Sequence, residues 1–225
     1  MNLITLGCSV THNPGVKETL SELTKLNLVN LSQSAGCNGL QVLKMQEYIL
    51  TNSFNETDVI IWQISQIERV HVRTKLTERF LHRTNTVITS KVIEHHYVNS
   101  NKNLFDDEDR GDLLCHSPLI DEYNFNYDVA QGLQTLIATI VMVKKIHPKI
   151  LVYLGWDKAV MPDSYKDKIY EILDKHNVDY LKQPFLEWVV YNNGTLLDSK
   201  HPTPESGMKF AEQVLYPKLK ELNFI

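Results

Sequence analysis

Short apolar runs of strand length alternate along this chain with longer segments of helical periodicity. The runs cover 3–6, 27–31, 59–62, 150–154 and, more weakly, 178–181. Helical patterns are clearest over 39–50, 129–146, 165–175 and from Pro204 towards the end of the chain. Strands that alternate with helices in this way form a parallel sheet with helices packed on both faces. The pattern predicts a single-domain, three-layer α/β/α sandwich with a doubly wound parallel sheet.

Two of the predicted helices carry signals for their ends. Asp128 is the predicted N-cap of the helix over 129–146, and Pro148 lies just beyond its C-terminal end. Thr203 is the predicted N-cap of the last helix, in which Pro204 takes the first helical position.

Composition narrows the range of functions. Of 225 residues, 43% are apolar and 22% are charged, which is ordinary for a soluble globular domain. The formal net charge is −4, without a dense Lys/Arg tract, and this argues against a nucleic-acid partner. The beginning of the chain lacks the basic and long apolar regions of a signal peptide, and no apolar run is long enough to span a bilayer. We therefore expect a cytoplasmic protein without a membrane partner.

Two short motifs at opposite ends of the chain carry candidate catalytic residues. Ser9 directly follows Gly7-Cys8 after the first predicted strand, at the edge where doubly wound sheets bind ligands. A serine hydroxyl needs a base to act as a nucleophile, because it is protonated at neutral pH. Asp198 precedes His201 by three residues just ahead of the last helix, a spacing that lets a carboxylate orient an imidazole. The two motifs together contain the residues of a Ser-His-Asp relay.

These motifs, Gly7-Cys8-Ser9 and the DSKHPT run over 198–203, resemble the first and last blocks of the SGNH/GDSL hydrolases. The blocks occur in the same order, although Cys8 stands where the family usually has Asp. The resemblance implies a flavodoxin-like sheet and the hydrolysis of carboxylic esters. It also implies that Ser9 is the nucleophile, His201 the general base and Asp198 the residue that orients His201.

The resemblance further implies an oxyanion site beside Ser9. Gly36 corresponds to the glycine of the family's second block, and its N–H group is expected to act together with that of Ser9. The third block usually reads Gly-x-Asn after the third strand, whereas this chain reads WQISQ over 62–66, with no Asn in register. Gln63 or Ser65 is expected to donate instead, and Asn38 on the neighbouring loop is another candidate.

The segment 66–127 does not fit the alternation of strands and helices. Its periodicity is weak, and a structureless loop of this length is improbable in a compact domain. The segment is therefore predicted to be an insertion with some helix of its own. It leaves the third predicted strand at the ligand-binding edge of the sheet. We expect one domain over 1–225, with the insertion at 66–127 near the active site and alternatively in an oligomer contact.

Three features leave two interpretations open. Arg69 either binds an anionic part of a substrate or forms a surface ion pair. Trp156, with Asp157, either lines the pocket or caps the next helix. Cys8 and Cys37 follow neighbouring strands and form either a redox switch or, as the favoured interpretation, two small buried fillers.

No metal site or other cofactor is expected. The three cysteines cannot all pair with one another and show no CxxC spacing, which argues against a disulfide framework and a cysteine-rich zinc site. The pairs His95-His96 and Cys115-His116 match no zinc spacing either.

The sequence as a whole favours a serine esterase that hydrolyses an O-acetyl ester on a carbohydrate. The substrate is inferred from aromatic and histidine residues of the insertion that suit a sugar, namely His95, His96, Tyr97, Tyr123, Phe125 and Tyr127. Two alternatives stay open. One is a catalytically degenerate module that binds a glycan or a protein, and the other is an acyltransferase with the same triad.

Overall fold

The described part of the chain consists of strands and helices that alternate as the sequence predicts. A computed structural model describes residues 1–8, 11, 15–33, 38–65, 69–74, 88–90, 93–99, 122–156, 163–197 and 201–225. The strands are β1 (Asn2–Leu6), β2 (Asn27–Asn30), β3 (Val59–Ile64), β4 (Arg69–Thr74), β5 (Ile88–Ser90), β6 (Ile93–Asn99), β7 (Ile150–Leu154) and β8 (Asp179–Tyr180). The helices are α1 (Val16–Thr24), α2 (Asn38–Thr51), α3 (Glu122–Ile146), α4 (Asp163–Lys175), α5 (Phe185–Tyr191), α6 (Pro204–Phe210) and α7 (Tyr216–Glu221), with a π-helical turn (Ala211–Leu215) between the last two.

Five parallel strands form the central sheet, in the order β2-β1-β3-β7-β8. Counted within this sheet alone the order is 2-1-3-4-5, which is the flavodoxin-like order. Every residue of β3 and β7 is buried, which explains why both strands are nearly continuous apolar runs. The predicted fold class, a three-layer α/β/α sandwich with a doubly wound parallel sheet, is confirmed.

Two apolar layers lie on opposite faces of the central sheet. Successive residues of a strand point to opposite faces, so Ile60 and Ile61 of β3 belong to different layers. Ile61 packs with apolar residues of α1, α5, α6 and α7. Ile60 packs with those of α2, α3 and α4. The helices therefore cover both faces, which leaves the ends of the strands as the place for a site.

The segment 66–127 contributes a second sheet and the start of a core helix. β4, β6 and β5 form an antiparallel sheet in that order, and β4 lies against α2 and α3. The helix predicted over 129–146 begins seven residues earlier, at Glu122, so Asp128 lies inside it and the N-cap prediction is wrong. The apolar periodicity begins later than the helix, because the first turns are rich in polar residues. The other residues of the segment lie outside the described part.

The start of α1 packs against the start of α6, and this contact joins the two ends of the sequence. Gly15 precedes α1 with φ at +126°, and a Cβ atom there would lie 2.5 Å from the carbonyl oxygen of Pro204. A Cβ atom on Gly207 would lie 3.3 Å from Val16 Cγ2. Only a glycine permits the backbone conformation and the close approach at position 15. Gly15 and the first residue of α6 are therefore neighbours.

A buried polar cluster joins the strands at their amino ends. The Asp58 carboxylate accepts hydrogen bonds from the backbone N–H groups of Asn2, at 2.7 Å, and Asn55, at 3.0 Å. His147 Nε2 donates to the carbonyl oxygen of Asp58 at 2.8 Å. The cluster lies at the edge opposite to the candidate site. Among the helices that the structure describes, none is both long and apolar enough to cross a bilayer.

Candidate active site

The carboxyl ends of β1, β3 and β7 lie side by side at one edge of the central sheet. β1 leads into Gly7 and Cys8, β3 into Ser65, and β7 into Gly155 and Trp156. The Gly155 N–H group donates to the carbonyl oxygen of Ile64 at 3.1 Å, so the sheet pairing continues to its very edge. Ligands of doubly wound sheets bind at this edge.

A buried carboxamide lies beneath the turn that follows β1. Gln63 is fully buried, and its Oε1 atom accepts hydrogen bonds from the Cys8 N–H group at 3.1 Å and from the Thr11 hydroxyl at 2.8 Å. Its Nε2 atom donates to Cys8 Sγ at 3.2 Å. Gln63 therefore contacts the residues on both sides of positions 9 and 10.

Tyr153 of β7 extends this polar network. Its hydroxyl lies 2.8 Å from Thr11 Oγ1 and donates to it, because the Thr11 proton is engaged by Gln63. Burial raises the pKa of Tyr153 above its ordinary value, so the phenol stays protonated and remains a donor. The Thr11 N–H group closes the turn by donating to the carbonyl oxygen of Cys8 at 3.1 Å.

Two glycines provide the space for the Gln63 carboxamide. A Cβ atom on Gly155 would lie 1.6 Å from Gln63 Nε2, and one on Gly7 would lie 2.5 Å from Gln63 Oε1. Both distances are shorter than any van der Waals contact, so a side chain at either position would displace the carboxamide. The glycines that follow β1 and β7 thus leave the space that the Gln63 side chain of β3 occupies.

Asn38 links the start of α2 to the end of β3. Its Oδ1 atom accepts from the Ser65 N–H group at 2.8 Å, and its Nδ2 atom lies 3.4 Å from the Ser65 carbonyl oxygen, to which it donates. Asn38 and Ser65 are both buried. The structure thus places two of the predicted oxyanion donors next to each other at the carboxyl edge.

His201 lies on a hairpin that precedes α6. The Leu197 N–H group donates to the His201 carbonyl oxygen at 2.7 Å, and the Thr203 N–H group donates to that of Thr195 at 3.0 Å. Thr203 is the N-cap of α6, as predicted, because its hydroxyl accepts from the Ser206 N–H group. The hairpin and the helix cap hold the backbone of His201 in a defined position.

The His201 ring contacts Trp156, the second residue after β7. The ring centroids are 5.5 Å apart and the planes meet at 84°, which is an edge-to-face arrangement. Trp156 is buried in the same apolar layer as Cys8. Cys8, the residue next to Ser9, and the candidate general base are therefore held at the neighbouring ends of β3 and β7, the first by Gln63 and the second by Trp156.

Comparison with known proteins shows similarity of structure without similarity of sequence. No protein-family model and no curated protein matches the chain. The structure of TesA is similar with a TM-score of 0.56, at 14% identity, over 99% of both chains. A member of the lipolytic protein G-D-S-L family from Veillonella parvula is similar with a TM-score of 0.55, at 12% identity, over 96% of this chain and 97% of that one. This chain has the fold of the G-D-S-L proteins.

A third structure agrees with this assignment of the fold. The psychrotrophic esterase EstA from Pseudoalteromonas sp. is similar to the chain with a TM-score of 0.55, at 12% identity, over 99% of this chain and 100% of that one. The likeness covers almost the whole of each chain, so the G-D-S-L fold extends over the chain rather than over one part of it.

Within the G-D-S-L fold, four of the predicted site residues are described at the carboxyl edge. They are Gln63 and Ser65 at the end of β3, Asn38 at the start of α2, and His201 on the hairpin before α6. Arg69 is the first residue of β4, four residues after Ser65, and the structure describes its backbone. Ser9, Gly36 and Asp198 lie outside the described residues, as does Cys37, so the predicted triad geometry stays a prediction.

Two residues of the network were not singled out by the sequence, although each gives a signal. Thr11 lies two positions after Ser9, and Tyr153 is a hydroxyl in an otherwise apolar strand. A hydroxyl in a strand that is buried on both faces needs a hydrogen-bond partner, and this requirement points to a polar network. Cys8 is buried, as the filler interpretation predicts. Within the described ranges, no group of three or more His, Cys, Asp or Glu residues is arranged to bind a metal.

Proposed function

We propose that this chain is a serine esterase in which Ser9 is the nucleophile, His201 the general base and Asp198 the residue that orients His201. One observation carries the proposal: Cys8, the residue adjacent to Ser9, and the ring of His201 are both contacted by residues at the neighbouring ends of β3 and β7. Cys8 bonds to Gln63 of β3, whose carboxamide lies against Gly155, and the His201 ring contacts Trp156, the residue after Gly155. Residues almost two hundred positions apart are thus brought to one edge of the sheet.

The proposed reaction uses these groups in two steps. The Ser9 hydroxyl attacks the ester carbonyl while His201 accepts its proton, and His201 then protonates the leaving alcohol. Water releases the acyl group in the second step, again with His201 as the base. The N–H groups of Ser9 and Gly36 are proposed to stabilise the oxyanion, with Asn38 or Ser65 as the third donor.

The proposed substrate is an O-acetyl ester of a carbohydrate. The second sheet supports it, because β4 leaves the carboxyl end of β3 after only four intervening residues. β6 of this sheet contains His95, His96 and Tyr97, and α3 begins with a run that contains Tyr123, Phe125 and Tyr127. Aromatic residues near such an edge offer stacking faces for sugar rings.

Turnover of p-nitrophenyl acetate by the purified chain tests the proposed chemistry. We expect hydrolysis by the wild type and a loss of kcat on the order of 10⁴-fold or more for Ser9→Ala and His201→Gln. Ser21→Ala and His176→Gln are the matched controls. Ser21 lies on α1 and bonds to the Leu26 carbonyl oxygen, and His176 is exposed after α4.

The outcomes separate this function from the two alternatives. Wild-type turnover that survives Ser9→Ala contradicts the proposal, and an absence of turnover favours a binding module. A product that appears only with an added sugar acceptor identifies an acyltransferase. Release of acetate from an acetylated oligosaccharide, and its loss when 66–121 is replaced by a short glycine linker, tests the substrate class. α3 is left intact in that variant, because its residues from Leu133 onward belong to the core.

A further inference from the structure

We propose that Gln63 is a positioning residue for the turn that carries Ser9, and that it acts through the acceptor oxygen of its buried carboxamide. The inference rests on the proposed function of Ser9. It differs from the role expected for Gln63 from the sequence, in which the amide nitrogen donates a hydrogen bond to the oxyanion.

Two described positions of the turn bind to the same oxygen atom. Gln63 Oε1 accepts from the Cys8 N–H group at 3.1 Å and from the Thr11 hydroxyl at 2.8 Å. These two donors lie one residue before Ser9 and two residues after it. An acceptor that is shared by both donors fixes the separation of positions 8 and 11, and this narrows the conformations open to the residues between them.

The position of the acceptor oxygen is itself fixed. The carboxamide is fully buried between Gly7 and Gly155, each of which is too close to it to carry a side chain. The Cys8 N–H group can only donate, so its hydrogen bond identifies Oε1 as the acceptor and leaves Nε2 to donate to Cys8 Sγ at 3.2 Å. Water cannot replace a hydrogen bond that is lost at such a buried site. The Cys8 N–H group and the Thr11 hydroxyl therefore depend on the Gln63 side chain for this acceptor.

Thr11 is held from its other side as well. The Tyr153 hydroxyl donates to Thr11 Oγ1, which directs the Thr11 proton towards Gln63. The network therefore runs from β3 through the turn to β7, the strand next to β3 on the side away from β1.

Substitutions that separate the oxygen from the nitrogen of Gln63 test the inference. Gln63→Met keeps the length of the side chain but removes both acceptor bonds, whereas Gln63→Glu keeps an acceptor oxygen. Burial favours the neutral form of such a carboxyl group, so the acceptor is kept without a buried charge. Gln41→Met is the matched control, because Gln41 is also buried and accepts from Trp62 Nε1, on the opposite face of β3.

The readout is the split between kcat and KM on p-nitrophenyl acetate, with the melting temperature of each variant. We expect Gln63→Met to lower kcat about 100-fold with little change in KM, because a misplacement of about 1 Å costs a factor of this size. Gln63→Glu should recover to within about tenfold of the wild type. Gln41→Met should lower the melting temperature and leave kcat unchanged.

Two results would overturn the inference. If Gln63→Glu loses as much kcat as Gln63→Met, the amide nitrogen is the functional atom. If Gln63→Met and Gln41→Met have the same kcat, the acceptor bonds do not position Ser9. Ser9→Ala separates these results from a failure of the proposed function: equal turnover by the wild type and Ser9→Ala overturns both proposals, whereas a dead Ser9→Ala with an active Gln63→Met overturns only this one.

Variants of Thr11 test the same bridge where Gln63→Met does not fold. Thr11→Val removes one of the two donors and should lower kcat, whereas Thr11→Ser restores the hydroxyl and should recover kcat. Equal kcat values for Thr11→Val and Thr11→Ser would contradict the inference.

Discussion

Trp156, at the end of the central sheet, contacts the His201 imidazole and constrains its position. The indole is buried and follows Gly155, whose N–H group donates to the Ile64 carbonyl oxygen of β3. Backbone hydrogen bonds link the two arms of the hairpin that carries His201. These bonds hold the main chain of His201 but not its ring. The edge-to-face contact with Trp156 is a constraint on the ring itself.

We expect Trp156→Leu to lower kcat/KM about 2- to 10-fold, because an aromatic pair of this geometry contributes about 0.5–1.5 kcal/mol. Trp156→Phe should keep most of the wild-type kcat/KM, because a ring remains opposite His201. Steady-state kinetics on p-nitrophenyl acetate measure the effect. Trp188→Leu is the control, because Trp188 is as deeply buried but contacts Phe210 instead.

Both tryptophan variants should lose stability, and only Trp156→Leu should lose activity beyond that. An equal loss of kcat/KM in the two variants at a temperature where both are folded would show that the contact with His201 has no role of its own.

Among the elements, α1 and α6 start in close contact with each other. Gly15→Ala should destabilise the protein, because alanine would adopt a φ of +126° with its Cβ atom 2.5 Å from the Pro204 oxygen. Backbone strain alone costs on the order of 1–3 kcal/mol. Urea denaturation measures the free energy of unfolding.

Gly132→Ala is the matched control, with the opposite expected sign. Gly132 lies inside α3, and a Cβ atom there would meet nothing within 4 Å. Alanine in place of glycine within a helix stabilises by about 0.5–1 kcal/mol. Two glycine-to-alanine changes that shift stability in the same direction would contradict the close contact between the two helix starts.

The strands β3 and β7 of the central sheet could be predicted because burial on both faces makes them apolar runs, which are a local signal. The antiparallel sheet of β4, β5 and β6 was not predicted, although β4 alternates polar residues with Val70 and Val72, a pattern typical of a strand. The start of α3 was predicted too late because its first turns lack apolar periodicity. A helix can extend beyond its apolar stripe where tertiary structure supports it.

At the scale of the whole molecule, the candidate catalytic motifs could be predicted from the sequence and the network beneath them could not. Ser9, His201 and Asp198 lie in short motifs whose residue types suit the proposed chemistry. Gln63 was identified as a polar residue at the end of β3, but its partner Thr11 is 52 positions away. Hydrogen bonds of such separation depend on the register of the strands, which the sequence does not show.

The stability of the whole molecule is expected to depend on pH through His147. Its ring stacks on Phe54, with the centroids 5.1 Å apart, and burial lowers the pKa of His147 below its ordinary value. Below a pH of about 6.5 the unfolded chain binds a proton that the folded chain resists. The free energy of unfolding should therefore fall as the pH drops from that value through the pKa of folded His147.

Urea denaturation at a series of pH values measures this dependence. His147→Gln should reduce the slope of stability against pH in this range, whereas His176→Gln, at an exposed position, should leave it unchanged. An unchanged slope in His147→Gln would show that this histidine is not the titrating group.

The central claim is that Ser9 is a nucleophile activated by His201, and covalent labelling with a fluorophosphonate tests it most directly. The serine oxygen displaces fluoride from phosphorus, and the adduct is located by intact mass and peptide mapping. We predict one adduct per chain, on Ser9, and no adduct in the Ser9→Ala variant. The reaction should be much slower for His201→Gln but not for His176→Gln. An adduct on another residue, or labelling of Ser9→Ala at the wild-type rate, would contradict the account.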